Sequence, residues 1–87
     1  MEATLAGTEL SRLRWRCRRG LLENDLLIER FFSRAVPVTP AEAAGLYALM
    51  DVADNDLLDL FLGRREPEAA LDRPEVHQVL AAVRARR

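Results

Sequence analysis

The stretch that is most informative about the fold is Cys17-Arg18-Arg19-Gly20-Leu21-Leu22-Glu23-Asn24-Asp25. Five of the eight residues from Arg12 to Arg19 are arginine, and the chain becomes acidic soon after Gly20. Glycine enters the left-handed backbone region without a steric penalty and is common just beyond the last turn of a helix. Arginines favour the C-terminal end of a helix dipole, and carboxylates favour the N-terminal end. The stretch therefore predicts the end of one helix, a corner at Gly20 and the start of a second helix.

The first of these helices is expected to have one buried and one exposed face. It should run from Thr8, as its cap, to about Arg19. At about 100° per residue, its core face carries Leu10, Leu13 and Cys17. Trp15 points the opposite way among arginines, which is unusual because large apolar side chains normally lie inside. This placement indicates that Trp15 belongs to a surface with a role of its own.

The second helix, from about Leu22 to Ser33, has the same division. Its core stripe comprises Leu27, Ile28, Phe31 and Phe32. Tryptophan and arginine are enriched at interface hot spots. We therefore predict an exposed surface comprising Trp15, Arg18, Arg19, Glu23, Leu26 and Arg30. The alternative is that these charges only cap the two helices.

Three further helices are indicated. Thr39-Pro40-Ala41-Glu42 has the pattern of a capping box, which opens a third helix ending near Val52. Gly45 within that helix could permit close helix packing. Asp54 is expected to cap a short fourth helix, residues 55–62, which ends at Gly63.

The last helix opens at Pro74 and carries an apolar stripe of Val76, Val79, Leu80 and Val83. We find no strand signal in the sequence. The predicted fold class is therefore all-α, a compact five-helix bundle with short connections. Residues 1–7 are interpreted as a flexible N-terminal tail and residues 8–87 as a single helical domain.

The charges are distributed unevenly along the 87 residues. The net charge is −1, made up of +2 in residues 1–34, −5 in residues 35–63 and +2 in residues 64–87. Such a polarised molecule suits recognition of a specific protein surface better than general binding to phosphate. All thirteen basic residues are arginine, so lysine-dependent covalent chemistry is excluded.

The location is predicted from the cysteine count and the apolar runs. Cys17 is the single cysteine, so no internal disulfide can form, which fits a reducing cytoplasm. The longest apolar run, residues 43–50, is far too short to span a bilayer. We expect a cytoplasmic monomer that has no signal peptide and does not insert into membranes.

Catalytic and ligand-binding patterns are weak. Four aspartates between residues 51 and 59 invite a calcium interpretation, but the glycine and terminal glutamate of an EF-hand loop are missing. One cysteine and one histidine are too few ligands for a zinc-type metal site. A nucleophile–base pair of Cys17 and His77 conflicts with the expected burial of Cys17. We therefore predict no metal site and no catalytic residue.

Binding of nucleic acid is a further alternative, because arginine-rich helices bind RNA. Against it, Trp15 is the only aromatic platform near the arginines, and the balancing carboxylates would repel phosphates. An RNA-binding bundle would show a steep salt dependence of binding.

The corner resembles the signature of the SdhE family, the small FAD assembly factors of succinate dehydrogenase. The resemblance starts from Trp15-Arg16-Cys17-Arg18-Arg19-Gly20-Leu21-Leu22-Glu23-Asn24-Asp25-Leu26-Leu27, in which Arg19, Gly20 and Glu23 match the R-G-x-x-E motif. A second match is Leu49-Met50-Asp51-Val52-Ala53-Asp54-Asn55-Asp56-Leu57-Leu58, similar to the family's acidic segment. The resemblance covers roughly residues 9–84.

Two residues depart from the family pattern. Phe61 stands where the family often has tryptophan, and Asn24 stands where an apolar residue is frequent. Neither departure touches the R-G-x-x-E positions.

The resemblance implies a function and a set of site residues. Such proteins bind the flavoprotein subunit of succinate dehydrogenase, or of the related fumarate reductase, and promote covalent attachment of FAD to a histidine of that subunit. It implies that the protein is not an enzyme in the usual sense and acts on the FAD of its client without stably binding a cofactor. The implied partner-binding residues are Arg19, Gly20, Glu23, Arg18, Trp15 and Asp25, with Asp54 and Asp56 as a second set. The alternative function is a small helical regulatory module of the antitoxin type.

Overall fold

Five α-helices follow one another in the computed structural model, which describes residues 4–5, 7–18 and 20–85. They are α1 Gly7–Arg16, α2 Leu22–Phe32, α3 Pro40–Leu49, α4 Asp54–Leu62 and α5 Pro74–Ala85, with a short 3₁₀ turn, Ala69–Leu71, before α5. The described residues contain no strand, so the predicted all-α class and the five helices are confirmed.

The start of α3 follows from its sequence. Thr39 Oγ1 accepts a hydrogen bond from the Glu42 N–H at 3.2 Å, and the Glu42 carboxylate accepts one from the Thr39 N–H at 3.1 Å. Pro40 occupies the first helical position, where its missing N–H costs nothing. The predicted capping box is therefore confirmed, although α3 ends at Leu49 and not near Val52.

The start of α4 differs from the prediction. Ala53 occupies the cap position with an extended backbone and no side-chain cap, and Asp54 is the first helical residue. Asp54 as a cap was therefore wrong by one residue. Its carboxylate instead lies in the first turn, where it interacts favourably with the positive end of the helix dipole. The other end is as predicted, since Gly63 adopts φ 78° in the left-handed region.

One core fills the space between the helices. The predicted apolar stripes of α2 and α5 are buried, except that Phe32 is only partly buried, and Leu60 joins the core although the sequence did not single it out. The core comprises Leu13, Cys17, Leu27, Ile28, Phe31, Val38, Ala43, Leu46, Leu49, Met50, Leu57, Leu60, Phe61, Val76, Val79, Leu80 and Val83.

Arg84 of α5 reaches across to the end of α4. Its Nε and Nη2 donate to the Leu60 carbonyl at 3.1 and 2.8 Å, and Nη2 also donates to the Arg65 carbonyl at 3.1 Å. The guanidinium therefore helps to satisfy the Leu60 carbonyl at the C-terminal end of α4 and also binds the Arg65 carbonyl of the loop that follows.

At Gly45, α3 packs closely on α5. A Cβ built on Gly45 would lie 2.8 Å from the backbone carbonyl carbon of Glu75 and 3.0 Å from Val79 Cγ2. Real Cβ atoms do not approach backbone so closely, so α3 and α5 would have to separate. The predicted role of Gly45 in close packing is confirmed.

Gly45→Ala is therefore expected to destabilise the bundle. Overpacking costs about 1–3 kcal/mol and outweighs the gain of about 1 kcal/mol in helix propensity. We expect a lower urea midpoint with an unchanged slope. Ala81→Ser, at an exposed position of α5, is the control and should change stability by about 0.5 kcal/mol or less. A Gly45→Ala protein as stable as the wild type would contradict the close approach.

Candidate partner-binding face

The corner (residues 17–25) begins earlier than the sequence suggested, because α1 ends at Arg16. The Arg18 N–H bonds to the Trp15 carbonyl at 3.2 Å, an i→i−3 bond that tightens and ends the turn. The expectation that α1 runs to Arg19 and ends at Gly20 was therefore wrong. Arg18 lies beyond the helix, and the basic residues of the last turn are Arg14 and Arg16.

Gly20 and Asp25 close the corner together. Gly20 has φ 93°, a value that favours glycine, although a Cβ there would meet no atom within 4 Å. Its N–H donates to Asp25 Oδ2 at 3.1 Å. Asp25 and Glu23 lie in the first turn of α2, as predicted. Asp25 therefore holds the corner against the start of α2.

The outer side of the corner carries large apolar side chains. The side chain of Trp15 is 78% exposed, Leu22 65% and Leu26 50%. The predicted exposure of Trp15 and Leu26 is confirmed, whereas Leu22 was not singled out from the sequence. Exposed apolar groups clustered beside charges are typical of protein interaction sites.

Three charged residues accompany these apolar groups. Arg18, Glu23 and Arg30 are exposed, and none of them forms an ion pair with another residue in the described ranges. Their charges are therefore not used for internal ion pairing there and are available to a partner, while Glu23 in the first turn and Arg30 in the last turn of α2 also interact favourably with the helix dipole. Arg19 lies outside the described residues, so its predicted role stays a prediction.

A groove of about 460 Å³ lies between α1 and α2 next to the corner. Its walls include Trp15, Arg18, Asp25 and Leu26, and the buried Cys17 also lines it. Further along the groove, Arg14 Nη2 pairs with Glu29 Oε1 at 3.3 Å and bridges the two helices. We define the docking face as Trp15, Arg18, Gly20, Glu23, Asp25 and Leu26.

The acidic segment (residues 51–59) lies against the corner. Arg16 Nη2, at the end of α1, contacts Asp51 Oδ1 at 3.1 Å. Asn24 Nδ2, in the first turn of α2, donates to the Asp54 carbonyl at 3.0 Å. Asp56, in the first turn of α4, pairs with Arg65 at 3.0 Å. The structure therefore joins the segment that contains the second predicted set, Asp54 and Asp56, to the corner.

Asn24 is the residue of this site that sequence reasoning missed. It was noted only as a departure from an apolar position, yet its side chain is completely buried. The signal was its spacing, because Asn24 lies three and four residues before Leu27 and Ile28 on the core stripe.

The described ranges offer little ligand chemistry. They contain no group of three or more histidine, cysteine, aspartate or glutamate side chains able to hold a metal ion. Cys17 is buried, and His77 Nε2 contacts Asp72 Oδ1 at 2.7 Å. None of the helices formed by these residues has the length and apolar character needed to cross a bilayer.

The family described as flavinator of succinate dehydrogenase matches residues 11–87, nearly the whole chain. The chain belongs to this family. The suspected resemblance is confirmed, and the corner with its R-G-x-x-E residues lies inside the matched range.

Curated relatives of this flavinator family are similar over most of their length. A protein from Ralstonia nicotianae named FAD assembly factor SdhE is 53% identical over 76 residues, covering 86% of this chain and 80% of the relative. A protein of the same name from Pseudomonas aeruginosa is 40% identical over 77 residues, covering 87% and 92%. The comparison with solved structures gave no significant match.

Proposed function

We propose that this protein is an assembly factor that binds the flavoprotein subunit of succinate dehydrogenase and promotes covalent attachment of FAD to it. The observation that carries the proposal is the exposed corner of a flavinator-family chain, where a 78% exposed tryptophan lies beside charged side chains. The relatives named FAD assembly factor support it. Neither they nor the matched family favours the antitoxin-like regulatory module.

The docking face has the composition of an interface core with a charged rim. Trp15 and Leu26 supply apolar area that becomes buried when a partner covers it. Arg18 and Glu23 supply opposite charges that orient the partner and exclude wrong ones. Gly20, without a side chain, lets the partner backbone approach the corner. We propose the same contact role for Arg19 from its place in the motif.

FAD is proposed to remain with the client flavoprotein. The groove beside the docking face is lined by two carboxylates, Asp25 and Glu29, and two arginines, so it offers no net positive charge to a pyrophosphate. The chain also has no glycine-rich phosphate loop. The bond to the client's histidine then forms by the flavin's own chemistry, and this protein contributes by holding the client in a preorganised state. A catalytic side chain in this protein is not required.

The proposal extends to the client and the state of the protein. The flavoprotein of fumarate reductase is a second candidate client, since it is related to that of succinate dehydrogenase. We propose action as a monomer in the cytoplasm, before the iron–sulfur subunit docks on the same client.

Glu23→Ala tests the proposal. Glu23 is exposed and forms no ion pair with another described residue, so its removal should leave folding nearly unchanged. Loss of a charge-assisted contact should weaken client binding about five- to tenfold. The measurement is in-gel flavin fluorescence of the flavoprotein subunit in a deletion strain complemented with each variant, alongside a binding titration with the purified subunit.

The matched control is Glu68→Ala, which removes an exposed carboxylate from the loop before the 3₁₀ turn. It should leave both binding and flavin content as in the wild type. Normal flavin content and client affinity in Glu23→Ala would remove Glu23 from the docking face. A wild-type protein that does not bind the flavoprotein at all would reject the proposed function itself.

A further inference from the structure

Asn24 is a buried polar group in an otherwise apolar position. Asn24 and Glu42 are the polar side chains buried among the described residues, and Asn24 is the more completely buried, at 0% exposure. It shares the inner side of α2 with Leu27, Ile28 and Phe31. Burying an amide costs free energy unless its hydrogen bonds are replaced, so a residue of this kind needs an explanation.

The hydrogen bonds of Asn24 are only half satisfied. Nδ2 donates to the Asp54 carbonyl at 3.0 Å. Oδ1 is buried and accepts no hydrogen bond from the described residues. A half-satisfied buried amide gives little net stability compared with a well-packed apolar side chain. Its hydrogen bond instead favours one relative position of the two segments that it joins.

The two elements that Asn24 joins both belong to the proposed binding region. On α2 its neighbours in sequence are Glu23 and Asp25, and the carbonyl it contacts begins α4 in the acidic segment. On the other side of the corner, Arg16 contacts Asp51 at 3.1 Å, but that pair is exposed and is worth little by itself. Asn24 therefore joins the corner to the acidic segment from a fully buried position, alongside Arg16, which also donates to the Met50 carbonyl at 3.5 Å.

We infer that Asn24 is a positioning residue that holds the corner and the acidic segment together as one continuous docking surface for the flavoprotein. Asp56 then contributes to the same interface as Glu23, and the client contacts both segments at once. This inference rests on the proposed function, since it concerns how the same partner is bound.

Two variants remove the amide in different ways. Asn24→Leu fills the site with an apolar side chain, and Asn24→Ala removes the amide without risk of overpacking. Both should keep the helical circular dichroism spectrum and weaken binding of the purified flavoprotein subunit about five- to tenfold, the value of one specific hydrogen bond. The stability-matched control is Val79→Ala, a core truncation in α5, which should lower the unfolding midpoint and leave the affinity as in the wild type.

A double-mutant comparison separates positioning from general destabilisation. Asp56→Ala should weaken binding about threefold in the wild-type background and by clearly less in the Asn24→Leu background, because the acidic segment is then no longer held in place. A purely structural role of Asn24 would leave the effect of Asp56→Ala the same in both backgrounds.

The outcomes distinguish the inference from the proposed function. If the wild type binds the flavoprotein and the Asn24 variants bind equally well, or if the Asp56→Ala effect is the same in both backgrounds, the inference is overturned and the proposed function stands. If the wild type does not bind the flavoprotein, both are rejected. Weaker binding of both Asn24 variants, unchanged affinity of Val79→Ala and a non-additive Asp56→Ala effect support the inference.

Discussion

Trp15→Ala is expected to weaken binding of the flavoprotein subunit about 30-fold or more, with no loss of stability. Trp15 is 78% exposed, so its removal takes nothing from the core of the free protein. When a partner covers it, the same side chain supplies the largest apolar area of the docking face. Tryptophan at the centre of an interface is commonly worth about 2 kcal/mol or more on truncation. The measurement is a titration of the purified subunit, with thermal unfolding of each variant.

The matched control is Tyr47→Ala. Tyr47 is also a large aromatic residue, 44% exposed, but it lies on α3 beside Leu5 and Arg12, away from the corner. Its removal should leave the affinity unchanged. Equal losses in the two variants would mean that the client does not select the docking face, and unchanged affinity of Trp15→Ala would mean that Trp15 is not part of the interface.

Arg34→Met is expected to lower the free energy of unfolding by about 3–5 kcal/mol at neutral pH, the cost of leaving a buried charge without its partner. Arg34 donates to both carboxylate oxygens of Glu42, at 2.9 and 3.0 Å, and its guanidinium lies 3.8 Å from the centre of the Phe31 ring. Both side chains of the pair are about nine-tenths buried. Urea unfolding measures the loss.

The pH dependence of this loss gives a second readout. Burial by itself raises the pKa of Glu42, but hydrogen bonds from Arg34 and Thr39 and the charge of Arg34 hold that pKa below its ordinary value of 4.5. In the wild type, the stabilisation from Glu42 is therefore present above about pH 4.5 and is lost as the pH falls through the lower pKa of the folded state. In Arg34→Met only burial and the hydrogen bonds from Thr39 act on Glu42, so its pKa should rise. The difference in free energy of unfolding between the variant and the wild type should therefore become smaller as the pH falls.

The control for this prediction is the double variant Arg34→Met with Glu42→Gln. Glutamine can still accept from the Thr39 N–H and preserve the start of α3, and it leaves no buried charge. The double variant should recover most of the stability lost in Arg34→Met at neutral pH. If it remains as unstable as the single variant, the loss comes from packing of the arginine stem and not from the unpaired carboxylate.

The local features of this fold were predictable from the sequence. The capping box at Thr39 and Glu42 and the apolar stripe of α5 depend on residues within one or two turns of each other. The left-handed conformations of Gly20 and Gly63 are local in the same way. For the candidate site, the exposure of Trp15 followed from helical periodicity alone.

The tertiary features of the site were not predictable in this way. The arginine run continues to Arg19, but α1 ends at Arg16. A tightened turn, in which the Arg18 N–H bonds to the Trp15 carbonyl, follows the helix. The burial of Asn24 depends on the position of α4, and the pairing of Arg34 with Glu42 depends on how the chain folds back before α3. Periodicity identifies which face is buried but not which polar group on that face finds a partner.

The contact made by Arg84 has a consequence for motion in the bundle. One guanidinium completes the carbonyl end of α4 and also holds the Arg65 carbonyl, so these hydrogen bonds break when the last turn of α5 unwinds. Fraying of the final turn of α5 is therefore coupled to loosening of the end of α4, although the two segments are more than twenty residues apart in sequence.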